Sequence, residues 1–120
     1  MTFWIFLERE LFDLLPIFEN AFGVDNLYRD YENEWEWVES LNNESPVFIN
    51  ARRPHNWKQG EYLKPIVITI KQNSKKFGKE QILSILSEKF KCDAFQGKVE
   101  YLGGTDLILT EKKTLRFCDR

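Results

Sequence analysis

Histidine and methionine occur once each and cysteine twice in the 120 residues, which is thin material for imidazole, redox or metal chemistry. Cys92, Cys118 and His55 stand far apart, with no Cys-x-x-Cys and no His-x-x-x-His pair, so the spacing of a zinc site is missing. A nucleophilic Cys92 or Cys118 would need a base, and His55 is the one imidazole able to serve. Gly103-Gly104 is not followed by the Lys-Ser/Thr of a phosphate loop. No apolar run approaches the roughly 18 residues of a membrane span. The apolar opening Phe3 to Leu7 is shorter than a signal-peptide core, has no basic residue before it, and is closed by Glu8, Arg9 and Glu10. These absences lead to the expectation of a cytoplasmic chain with reduced thiols, no catalytic residue, no metal, no cofactor and no membrane partner.

What the chain does have is aromatic side chains, ten Phe, four Tyr and four Trp, within a 42% hydrophobic and 30% charged composition typical of a folded protein. Its length suits a single globular domain, residues 1–120, which needs no metal or disulfide to bury a core. The net charge of −2 conceals an asymmetry. Residues 1–45 carry eleven acids against Arg9 and Arg29, and residues 46–120 carry eight acids against fifteen bases. Such polarity points to interaction surfaces more than to fold.

Periodicity predicts the elements. Residues 2–8 read as a buried strand, and Leu14, Leu15, Phe18 and Phe22 as one face of a helix capped by Asp13, with Pro16 in its first turn and Gly23 ending it. Residues 24–32 read as a loop. From Glu34 to Leu41 the period is two, with Trp35, Trp37 and Glu39 on one side and Glu34, Glu36 and Val38 on the other. A turn at 42–46 leads to a strand from Val47 to Ala51, then a polar loop from Arg52 to Tyr62, then a strand from Pro65 to Lys71. Ile82, Ile85, Leu86 and Phe90 mark a second helix. Lys98–Leu102 and Asp106–Thr110 flank the Gly103-Gly104-Thr105 turn, and Lys112-Lys113 turns the chain into a last strand, Thr114 to Phe117. The expected fold class is α+β, a mainly antiparallel sheet with two helices on one face.

Two stretches compete as the functional site. The first sets Tyr28, Tyr31, Trp35 and Trp37 among the acids Asp30, Glu32, Glu34 and Glu36. Tyr and Trp bury large areas at little entropic cost, and acids steer a basic partner, so this stretch reads as a partner-binding surface. Its plainer reading is a wet sheet face with the Trp residues in the core. The second is Arg52, Arg53, His55 and Trp57, where two guanidiniums, an imidazole and a stacking platform could handle nucleic acid. Its plainer reading is a solvated loop with Trp57 covering the core edge. Lys71, Lys75, Lys76, Lys79, Lys89 and Lys91 read as a solvated helix surround, because the isoelectric point is acidic and no aromatic residues interleave them.

Glu34-Trp35-Glu36-Trp37-Val38-Glu39, then Phe48-Ile49-Asn50-Ala51-Arg52-Arg53-Pro54-His55-Asn56-Trp57 and a proline-led Ile/Val strand, resembles small bacterial immunity proteins of polymorphic-toxin and contact-dependent inhibition systems. The resemblance covers the middle of the chain. It implies a cytosolic protein that binds and blocks one cognate toxin, often a nuclease, and it assigns no residue roles. The expectation is therefore a non-enzymatic inhibitor of a basic toxin. A small nucleic-acid-processing enzyme or RNA-binding protein using Arg52, Arg53 and His55 is the alternative.

Overall fold

Alternation of side chains along extended backbone gives every strand two faces, and among the described residues helices cover one of them. The computed structural model describes residues 1–25, 27–41, 47–55, 65–72 and 76–118. Its elements run β1 (Thr2–Ile5), α1 (Leu11–Phe22), β2 (Leu27–Glu32), β3 (Trp35–Ser40), β4 (Val47–Pro54), β5 (Ile66–Gln72), α2 (Lys79–Phe90), β6 (Ala94–Gly103) and β7 (Asp106–Leu115). The seven strands form one antiparallel sheet in the order β2-β3-β4-β5-β1-β6-β7. Four consecutive strands make a meander, β1 is inserted beside β5, and the β6–β7 hairpin completes the far side. The α+β class and the antiparallel sheet follow the sequence reading.

Phe3 and Ile5, Val38, Ile49 and Ala51, Ile66, Ile68 and Ile70 point to one face and meet Leu11, Leu14, Phe18 and Phe22 of α1 and Ile82, Leu83, Leu86 and Phe90 of α2. Phe18 and Phe90 join the two helices, with ring centroids 4.7 Å apart. Each buried Leu, Ile or Phe contributes about 1.5–3 kcal/mol, so this face supplies most of the stability. A row on the other face crosses all seven strands: Asp30, Trp37, Arg52, Val67, Trp4, Phe95 and Thr114 are paired in register.

Several boundaries differ from the sequence reading. The first strand stops at Ile5, and α1 starts at Leu11 with Glu10 as its N-cap, so Asp13 lies in the first turn and Pro16 beyond it. Proline deprives the carbonyl four residues back of its helical donor. Here that carbonyl belongs to Phe12, on the exposed side of the helix, where water can take the donor's place. Gly23 does end the helix, at φ 64°. Residues 27–32 are the edge strand β2 and not a loop, because pairing with β3 overrides their polar composition. Arg52, Arg53 and Pro54 extend β4 instead of opening a loop. β7 continues through Lys112-Lys113 to Leu115 without turning. The turn read at 42–46, the loop residues 56–62, Lys75 and Trp57 lie outside the described residues.

Candidate functional site

The parity of β3 divides its residues cleanly. Glu36, Val38 and Ser40 face the helices and are buried, whereas Trp35, Trp37 and Glu39 face the other side and are half-buried. Glu36 is therefore no surface acid. It is fully buried and accepts from Arg53 Nη2 at 2.9 Å and from Arg29 Nη2 at 3.2 Å. Arg53, equally buried, donates onward to the carbonyls of Leu7 (3.0 Å) and Arg9 (2.8 Å). It thus ties the β1–α1 connection to the centre of the meander. A guanidinium suits this role because its planar fork reaches a carboxylate and two carbonyls at once.

This corrects both candidate stretches. Glu36 leaves the proposed binding surface. Arg53 leaves the nucleic-acid constellation, and His55 is buried too, at 6% exposure, its amide donating to Glu34 O at 2.7 Å. Arg52 and Arg53, adjacent in a strand, point to opposite faces, so two guanidiniums cannot share one phosphate.

On the face away from the helices, the structure assembles a cleft of about 550 Å³. β2 supplies Tyr28 and Glu32, the β2–β3 turn Asn33, β3 Trp35, Trp37 and Glu39, and β4 Asn50 and Arg52. The far wall is Tyr101 with Gly103 and Gly104, from the tip of the β6–β7 hairpin. In a flat sheet, four strand spacings of about 4.8 Å would hold β6 about 19 Å from β3. The hairpin crosses that distance for two reasons. β6 pairs with β1 only at Phe95 and Gln96, so among the described residues its outer part is strand-paired with β7 alone. The register then shifts between Gln96 and Gly97, and bulges of this kind bend strands and increase their twist. Its tip is fastened by Trp35 Nε1 donating to Gly104 O at 2.9 Å and by Trp35 packing on Tyr101, centroids 5.8 Å apart.

The electrostatics inside are mixed but predominantly acidic. Tyr28 donates its hydroxyl to Glu39 Oε2 at 3.0 Å. That hydrogen bond, followed by desolvation and the charges of Glu39 and Asp30, raises the Tyr28 phenol above its ordinary value. Arg52 is held by Asn50 Oδ1 at 2.9 Å, with its guanidinium 6.0 Å from the centre of the Tyr101 ring. Asp30 is exposed beside Trp37 in the same row. Tyr31 and Glu34 are also exposed, outside the cleft. Tyr31 lies on the helix side of the sheet edge, with the Arg29 guanidinium 4.9 Å over its ring.

Of the residues expected at a binding surface, Tyr28, Glu32, Trp35 and Trp37 come together, Asp30 adjoins them, and Arg52 joins them from the competing set. Sequence reading missed Glu39, Asn50 and Tyr101 as site residues. Strand parity already placed Glu39 with the tryptophans, and the hairpin register would have added Asn50, but no local signal brings Tyr101 to β3. Among the described residues no three His, Cys, Asp or Glu side chains gather as a metal site, and no helix is long and apolar enough to cross a membrane. No protein-family model matches the chain, and no curated protein or solved structure matches it.

Proposed function

We propose that the protein is a cytoplasmic, immunity-type inhibitor that docks a basic protein toxin on the sheet face away from its helices. The observation that carries this reading is the convergence of Tyr28, Trp35, Trp37 and Tyr101, none of them fully buried, with Glu32, Glu39 and neighbouring Asp30. Large rings beside carboxylates form the kind of centre that supplies most of the energy in a protein interface, while the surrounding acids accelerate encounter with a basic partner. The buried placement of Arg53 and His55 takes support from the nucleic-acid alternative.

The test is co-expression with the protein encoded beside this one, scored by growth. The parent chain is expected to protect. Asp30→Lys/Glu32→Lys is expected to abolish protection, while Lys89→Glu/Lys98→Glu, on α2 and the outer hairpin, is expected to retain it. Full protection by the Asp30→Lys/Glu32→Lys variant would remove this face from the interface.

A further inference from the structure

We propose that the cleft between β3 and the β6–β7 hairpin tip is a socket for a single arginine side chain of a basic protein partner. The inference rests on the reading of this face as the docking face and specifies what enters it.

The volume, about 550 Å³, falls within the range of ligand sites and leaves room for a long side chain with its flanking backbone. The chemistry of the walls selects the occupant. Trp35 and Trp37 both line the cleft, and the quadrupole of an indole attracts cations. The Trp35 ring is fixed by its bond to Gly104 O and by Tyr101, so little is left to order when a ligand arrives. Glu32 and Glu39 supply acceptors, and only Oε2 of Glu39 is used by Tyr28. With Asp30 the site holds three acids against Arg52, which disfavours an anion. A neutral group would leave carboxylates desolvated without a counter-charge. A guanidinium can stack on an indole while donating in its plane to a carboxylate, which a lysine ammonium cannot do. Within the cleft wall the Arg52 guanidinium lies at the outer edge of cation–π range, 6.0 Å from the centre of the Tyr101 ring.

The probe is the peptide acetyl-Gly-Arg-Gly-amide, with its citrulline twin as the neutral isostere. Each is titrated into the intact protein and followed by tryptophan fluorescence, to which Trp35 and Trp37 contribute. Saturable binding of the arginine peptide is expected, at least tenfold tighter than the citrulline peptide. Glu32→Gln/Glu39→Gln, with an unchanged melting temperature, is expected to remove most of that preference. Equal binding of the two peptides, no response to the arginine peptide, or an undiminished preference in the Gln variant would each overturn the socket. Failure of the docking reading looks different. It would appear as toxin protection that survives Asp30→Lys/Glu32→Lys while the arginine preference of the cleft remains.

Discussion

Glu36 and Arg53 show how much a single residue's meaning depends on which side of a strand it occupies. Both are charged and both are fully buried, joined at 2.9 Å with Arg29 as a second donor to the carboxylate. Breaking such a pair from one side leaves the other charge uncompensated, at a cost of about 3–5 kcal/mol. Glu36→Ala is therefore expected to lose about that much stability in urea unfolding, whereas Glu34→Lys, exposed on the neighbouring turn, should stay within about 0.5 kcal/mol of the parent. The two thiols differ in the same way. Cys118 is exposed, while burial, and secondarily Asp93, pushes the Cys92 thiol up to about 11. Because only the thiolate reacts, iodoacetamide at neutral pH is expected to label Cys118 well before Cys92, read by mass spectrometry of the two peptides.

At the scale of elements, the hairpin is the part that makes a site out of a sheet face. Gly97 is required where it bends: a β-carbon there would lie 2.0 Å from the carbonyl oxygen of Thr110. That neighbour is backbone of the paired strand and cannot swing aside. Gly97→Ala is expected to destabilise the protein by about 1–3 kcal/mol and to displace the hairpin tip, so that Trp35 fluorescence shifts towards that of exposed indole. The second helix is held through its apolar stripe, in which Leu86 is fully buried. Leu86→Ala should cost about 2–5 kcal/mol, checked by urea melts.

At the scale of the whole molecule, the acids gather at the β2–β3 end and the association rate with a basic partner should depend on salt. The screening length falls from about 10 Å at 0.1 M to about 3 Å at 1 M, so the on-rate is expected to drop steeply across that range while the off-rate changes less. Stopped-flow mixing with a basic protein partner measures both. The chain's other end has its own pH response. Asp93 accepts from the Phe117 amide at 2.9 Å and from Arg116 at 2.8 Å, and these hold its carboxyl below the ordinary aspartate range. A depressed folded value means the clamp is complete above the ordinary value and is lost as pH falls through the depressed one. The protection of the Phe117 amide, its exchange rate relative to an unstructured peptide at the same pH, should therefore fall in that acidic window, before the core opens.

The sequence by itself determined the class of fold, the apolar faces of both helices and the parity of β3, because burial repeats with the period of the backbone. Gly23 and the Gly103-Gly104 turn were equally legible, since their conformations, with φ of 64°, 105° and 58°, favour glycine locally. Only the tertiary structure decided which face of β3 the helices cover. That choice buried Glu36 and left Trp35 and Trp37 accessible, although alternation alone describes both outcomes equally well. Only tertiary structure, too, turned residues 27–32 into a strand and placed Tyr101 beside Trp35. Those facts depend on pairing and twist accumulated across several strands, and no local window of residues contains them.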